Sequence, residues 1–231
     1  MFKNFKAIAH MRTPIATIDP IILDSIILAA KMKTTLKDEY YSGKNKYGTK
    51  DEVESVLDPI LNKQGVYCTS VGIGDNREYA GSWVKRWDDN NDDIVDFGKR
   101  GKQRINTGSG SFKNYHMPIV LKSYKTITFY VNGDMEEVKR LLENHIFYLG
   151  KKGNQGYGQI REWEFIEIDE DWSVWKDGEP MRPIPVSECE SYVEEIMRRN
   201  QPVYTRQHPI IPPYWRNDNI ELCVMPRGVM S

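Results

Sequence analysis

Residues 149–160 read Leu-Gly-Lys-Lys-Gly-Asn-Gln-Gly-Tyr-Gly-Gln-Ile, and this stretch constrains the fold more than any other. A helical stripe (Val138, Leu141, Leu142) precedes it and an apolar, strand-like run (Ile160, Trp163, Phe165, Ile168) follows. The chain therefore has to pass from helix to strand through four glycines and two lysines. Glycine permits positive φ and close approach of a ligand to the backbone. Successive N–H groups in such a loop can form a concavity for phosphate oxygens, with Lys151 and Lys152 supplying charge. Gly150 alone would be an ordinary helix end. Gly153, Gly156 and Gly158 together with the lysines point instead to a phosphodiester backbone. The stretch is not a P-loop: G-x-x-x-x-G-K-[ST] is absent, and a strand rather than a helix follows. Nucleotide hydrolysis is unsupported.

The rest of the chain supplies the elements around this loop. Phe5 to Met11 reads as an opening strand. Asp19 is placed to cap a helix from about Pro20 to Lys33, with Pro20 at its first position and Ile22, Leu23, Ile26, Ile27 and Ala30 at helical spacing. Val66 to Ile73 is strand-like, and Met117 to Val131 forms one long strand or two short ones. Asp134 with Glu137, and later Ser187 with Glu190, have capping-box spacing. Tyr157 to Ile168 is the last strand, and the tail around Pro209, Pro212 and Pro213 reads as irregular. The resulting order, β-α-β-β-α-β, is that of a ferredoxin-like (RRM-like) α+β unit, with the glycine loop between its second helix and its last strand.

The formal net charge of −1 hides a strong asymmetry. From Gly98 to Gly133 the charged residues are Lys99, Arg100, Lys102, Arg104, Lys113, Lys122 and Lys125, with no acid among them. From Glu162 to Glu195 twelve acids face only Lys176 and Arg182. The stretch from Phe97 to His116 combines these cations with Phe112, Tyr115 and His116, which could stack on unpaired bases. Its plainer reading is a surface loop that orders on a partner.

Catalytic and metal signatures are lacking. His10, His116, His145 and His208 are scattered, without HExxH spacing. The run from Asp88 to Asp96 lacks EF-hand spacing, and no G-x-S-x-G elbow occurs. Cys68, Cys189 and Cys223 form no CxxC pair, which suits a reducing, cytoplasmic setting. No apolar stretch reads as a signal peptide or membrane span. No cofactor is implied.

The glycine loop before a last strand resembles the RAMP superfamily of CRISPR-associated RNA-binding proteins. Further segments narrow the likeness to the small RAMP subunit of type IV CRISPR complexes: Arg161-Glu162-Trp163-Glu164, Asp171-Trp172-Ser173-Val174-Trp175, Met181-Arg182-Pro183 and Pro212-Pro213-Tyr214-Trp215 with Cys223 and Pro226. Thr13-Pro14, Leu23-Asp24-Ser25-Ile26 and Asn106 to Lys113 fit as well. The segments Lys37 to Lys50 and Asp88 to Asp96 match nothing in that family. The resemblance implies a non-catalytic subunit of an antiviral ribonucleoprotein. Such a subunit holds the 5′ handle of the CRISPR RNA, contacts neighbouring RAMP backbone subunits and lies near target DNA.

The expected layout is a ferredoxin-like RAMP domain over residues 1–168, with a basic insertion at about 75–116, and a C-terminal extension over 169–231 packed on it. The expected RNA-binding residues are Gly150, Lys151, Lys152, Gly153, Asn154, Gln155, Gly156, Tyr157, Gly158, Lys99, Arg100, Lys102, Arg104, Lys113, Tyr115 and His116. Two alternatives stand beside this reading. One is a metal-independent CRISPR RNA-processing endoribonuclease using His10, His116 or Tyr157. The other is a standalone RNA-binding or phage-borne decoy protein.

Overall fold

Phe5, Ala7 and Ala9 are fully buried and alternate with the half-buried Lys6, Ile8 and His10, the period-2 pattern of a strand with one wetter face. They lie in the first strand of a computed structural model that describes residues 1–37, 56–88, 90, 105–214 and 216–227. The elements in chain order are β1 (Lys3–Met11), β2 (Ile15–Ala16), α1 (Leu23–Leu36), β3 (Lys63–Gln64), β4 (Val66–Tyr67), β5 (Asn76–Lys85), β6 (Tyr115–Tyr124), β7 (Thr126–Gly133), α2 (Met135–His145), β8 (Ile160–Glu167), β9 (Trp175–Lys176), β10 (Glu179–Pro180), β11 (Ile184–Pro185), α3 (Glu190–Arg198), β12 (Thr205–Pro209) and β13 (Ile220–Val224). The class is α+β, as expected.

β1 is the middle of an antiparallel sheet ordered β7-β1-β8. Phe5 pairs with Val131 and Glu167, and Ala9 with Ile127 and Trp163. One face of this sheet is covered by α1 and α2, whose Leu23, Ile27, Val138, Leu141 and Leu142 join Phe5, Ile127 and Phe129 in one core. Each such large side chain taken out of water contributes roughly 1.5–3 kcal/mol.

The strand expected at Val66 to Ile73 is only partly regular. Beyond β4, Thr69 bridges Val131 and Ile73 bridges Thr128, so one extra residue stands on the outer segment, as in a bulge. Ser70 fills the gap with its side chain, whose Oγ accepts the Tyr130 N–H at 2.9 Å. Gly72 is needed here, because a Cβ would lie 2.6 Å from Ile127 Cγ2.

Two expected caps are displaced. α1 begins at Leu23 rather than Pro20, and its capping residue Ile22 is extended (φ −106°, ψ 131°) with no side-chain cap. Tertiary pairing holds the chain straight there: Ile22 bridges Val71, and the Ile21 carbonyl accepts from Gly72 N at 2.8 Å. Asp19 instead meets Arg206 at 2.9 Å. Ser187 lies in a 3-10 turn (Val186–Glu188) directly after Pro185, so α3 starts at Glu190 behind Cys189, again without a side-chain cap. Asp134 does cap α2 by accepting from Glu137 N at 3.1 Å. The reciprocal half of that box is missing, because the Glu137 carboxylate turns to Arg140 and Lys31 and the Asp134 N–H goes to the Ile60 carbonyl.

The C-terminal stretch expected to be irregular contains a second sheet, ordered β11-β13-β12. It encloses its own core of Val66, Cys68, Val174, Ile184, Ile210 and Cys223. The Asp177-Gly178 pair, with φ of 52° and 78°, turns β9 into β10, the geometry a two-residue hairpin requires. Arg182 and Asp24 join the two cores. They are 1% and 0% exposed and 3.0 Å apart, and Arg182 also donates to the carbonyls of Tyr67 and Thr69.

Among the described residues, no helix is long and apolar enough to cross a membrane.

Candidate nucleic-acid interface

The glycine loop is clasped by the turn after β1. Gly158 N donates to the Pro14 carbonyl at 2.7 Å, Lys151 N to Ala16 at 2.8 Å, and Leu149 N to Gly158 at 2.8 Å. The Thr13 hydroxyl donates to the Gly156 carbonyl at 2.6 Å and accepts from Gln159 N at 2.8 Å. This explains two of the glycines. Gly158 has φ +70°, and a Cβ there would sit 1.8 Å from the Leu149 carbonyl oxygen; at Gly150, with φ +77°, it would sit 2.5 Å from Ile15 Cγ2. Between them a 3-10 turn, Gly153–Gln155, is bracketed by two left-handed residues, Lys152 (φ 64°) and Gly156 (φ 88°).

Not all of the loop's successive N–H groups are open to a ligand. Those of Lys151, Gln155, Gly156 and Gly158 are consumed by the chain's own carbonyls. Among the described residues, the N–H groups of Gly150, Lys152, Gly153, Asn154 and Tyr157 have no such acceptor. The loop is thus a built, internally braced turn with separate donors. Lys151, Gly150 and Gly156 are exposed.

The second constellation stands on an arm. β5 and β6 pair residue for residue from Asn76↔Tyr124 to Lys85↔Tyr115, a ladder roughly 33 Å long at the usual rise per residue. The basic insertion expected at about 75–116 therefore begins and ends as strand. β5 itself went unread in the sequence: its alternation of Tyr79, Gly81 and Trp83 is interrupted by glycine and flanked by polar residues, which weakens the period-2 signal. Much of the arm is exposed and apolar, including Tyr79 (42%), Val84 (46%), Met117 (47%) and Phe112 (41%). At its far end Trp87 meets Phe112 edge-on at 5.0 Å, and the Trp87 main-chain N–H donates to Asn114 Oδ1 at 2.8 Å. Lys85 Nζ donates to the Ser111 carbonyl. Residues 106–114 are further tied by Asn106 to Ser109 and by Asn114 N to Thr107.

Trp83 connects the two constellations, and sequence reasoning missed it. Lys152 Nζ lies over its ring, 4.7 Å from the centroid, within the range of a cation–π contact. Its indole N–H donates to the Tyr115 hydroxyl at 2.7 Å. Lys152 and Tyr115, chosen separately, thus belong to one surface. His116 and Lys113 are exposed nearby on the arm, with His116 opposite Val84. Lys122 is different: Glu78 from β5 approaches it at 3.4 Å, so a window without acids in sequence is not a surface without acids. Lys99, Arg100, Lys102 and Arg104 lie outside the described residues, as do most of Asp88 to Asp96 and Lys37 to Lys50.

The candidate catalytic residues stand on three different elements. His10 is bonded to Glu164 at 2.8 Å on the sheet's open face, His116 is on the arm and Tyr157 is in the loop; no hydrogen bond joins any two of them. Among the described residues no three His, Cys, Asp or Glu side chains gather as a metal set. Burial pushes the thiols of Cys68 and Cys223 up to about 11 and about 12, so both stay protonated at neutral pH.

The tail segments have structural work. Trp172 packs edge-on against Tyr130 at 5.3 Å, Asp171 accepts from Ser173 and Asn132, and Tyr214 packs partly buried against the first core, where desolvation, and then the nearby Asp24 carboxylate, raises its pKa. No curated protein matches the chain. The family model for CRISPR type IV associated protein Csf3 matches residues 75–226, a span that holds the arm, the glycine loop, Arg182 and the second sheet. The chain belongs to the Csf3 family of type IV CRISPR-associated proteins.

Proposed function

We propose that this chain is a non-catalytic RNA-binding subunit of a type IV CRISPR ribonucleoprotein, holding the 5′ handle of the CRISPR RNA on a ferredoxin-like RAMP unit. Family membership indicates a component of a type IV CRISPR complex. The observation that carries the finer reading is the contact of Lys152 with Trp83, and of Trp83 with Tyr115. It joins a cationic, glycine-shaped loop to an aromatic arm in one surface, the combination that single-stranded nucleic acid requires: charge for phosphates, ring faces for bases. The spatial order β8-β1-β7 followed by residues 69–73 supports the RAMP unit. The exposed apolar side chains of the arm suit a neighbouring backbone subunit, and its distal cations suit target DNA.

The test is the double reversal Lys151→Glu/Lys152→Glu. Binding of handle RNA, followed by fluorescence anisotropy, should fall about a hundredfold or more, with a shallower salt dependence, because each lost phosphate contact removes about 0.7 from the slope for a single strand. Unchanged binding and slope would defeat the proposal.

A further inference from the structure

A groove of about 380 Å³ runs between the start of α1 and the segment that leads into the glycine loop. Ile21, Ile26, Ala29, Ile146 and Tyr148 are among the residues that line it. Tyr148 is 44% exposed although it immediately precedes the buried Leu149. Behind it the loop is closed, since a Cβ on Gly153 would stand 3.0 Å from Tyr148 Cβ. The ring is therefore supported on its loop side while it borders the groove. Among the described residues, the charged side chain lining the groove is Lys33, which donates to the His145 carbonyl at 3.3 Å, and no carboxylate lines it. At the mouth Gly150 presents an N–H without an acceptor among the described residues, next to Lys151 and Lys152.

We infer that this groove holds one unpaired nucleobase of the bound RNA, stacked on Tyr148, while its phosphate rests at Gly150 to Lys152. The inference rests on the RNA-binding reading above and adds a base-binding subsite to it. The argument is complementarity. The groove is a mainly apolar slot bordered by Tyr148, with cations and N–H donors at its mouth and, among the described residues, no carboxylate in its lining. A nucleotide has the same division, an uncharged planar base joined to an anionic phosphate. A hydrophobic protein segment would leave the adjoining lysines without use, and a free phosphate would leave the apolar slot empty.

The probes are two ribose-phosphate hexamers, one carrying a single 2-aminopurine and one wholly abasic. Wild-type protein should bind the base-containing strand about tenfold more tightly, the scale of one stacked base, and should quench its fluorescence. Tyr148→Ala should erase both the preference and the quenching, whereas Tyr148→Phe should keep them. Ala29→Phe, which fills the slot, should erase them too, with the melting temperature of each variant confirming the fold. Equal binding of both hexamers without quenching, with Lys151→Glu/Lys152→Glu still abolishing it, would overturn the subsite and leave the RNA reading standing. Failure of wild-type protein to bind either hexamer, or indifference to the lysine reversal, would overturn both.

Discussion

Arg182 and Lys152 are both cations held in place by the fold, and their surroundings could hardly differ more. Arg182 is 1% exposed, faces Asp24 at 3.0 Å and donates to two main-chain carbonyls. Lys152 lies at the surface over the Trp83 ring, and no carboxylate among the described residues pairs with it. A buried charge must be matched inside the protein, because leaving it unpaired costs several kcal/mol. A half-buried cation at the surface, such as Lys152, keeps contact with water and needs no internal carboxylate, and one steadied by a ring face stays available to an outside anion. The first arrangement therefore locks two cores together, and the second is open to a ligand.

The largest expected effect breaks the buried side of this comparison. Arg182→Met should lower stability by about 3–5 kcal/mol in chemical denaturation, because Asp24 is left buried and alone. The double variant Arg182→Met/Asp24→Leu should recover much of that loss. A single variant as stable as wild type would mean that the pair does not join the cores. Next in size is Gly158→Ala. A methyl there meets the Leu149 carbonyl and forces an alanine to φ +70°, for an expected cost of about 2–3 kcal/mol. RNA affinity should fall with it if the loop is the binding element. The lysine reversal does the opposite: it should cost only about 1 kcal/mol of stability, the scale of the Lys152–Trp83 contact it removes, while removing RNA binding.

The smallest effect concerns pH. Glu137 hydrogen-bonds Arg140 first and Lys31 second, which holds its carboxyl down at about 2, against 4.5 for a free glutamate. The folded state thus prefers the charged form. The stabilisation is complete above about pH 4.5 and is lost as pH falls towards 2. Solvent screening limits it to about 1 kcal/mol. Glu137→Gln should flatten the acid limb of the denaturation profile by that amount, and an unchanged limb would show that the contacts are too exposed to matter.

Much of the first core was legible in the sequence. β1, β7, α2 and β8 were visible because each alternates or repeats at its own period, as with Phe5-Ala7-Ala9 and Val138-Leu141-Leu142. The same local logic misplaced the start of α1. Asp19-Pro20 is a strong signal, but the bridge of Ile22 to Val71 keeps the chain extended past it. It also hid β5, whose apolar positions are exposed and broken by Gly81, so that the ladder with β6 rather than a buried face defines the strand. The second sheet was obscured by prolines and short strands, each regular only through its partner.

At the interface, the glycine loop and Tyr115 were visible by residue type and Thr13 only as part of the family resemblance, whereas Trp83 was not visible, and the contact Thr13 makes with the loop was not either. Nothing in the local sequence of either one points to a loop roughly 70 or 140 residues further on. The sequence by itself determined the alternation of helix and strand, the place of the glycine loop between them and the separation of basic middle from acidic C-terminal third. These are local properties of periodicity, backbone freedom and charge. The tertiary structure alone decided which N–H groups of the loop are spent internally, which lysine lies on which ring, and that Arg182 finds Asp24. Such pairings depend on distances between residues far apart in the chain, and only the folded backbone sets those distances.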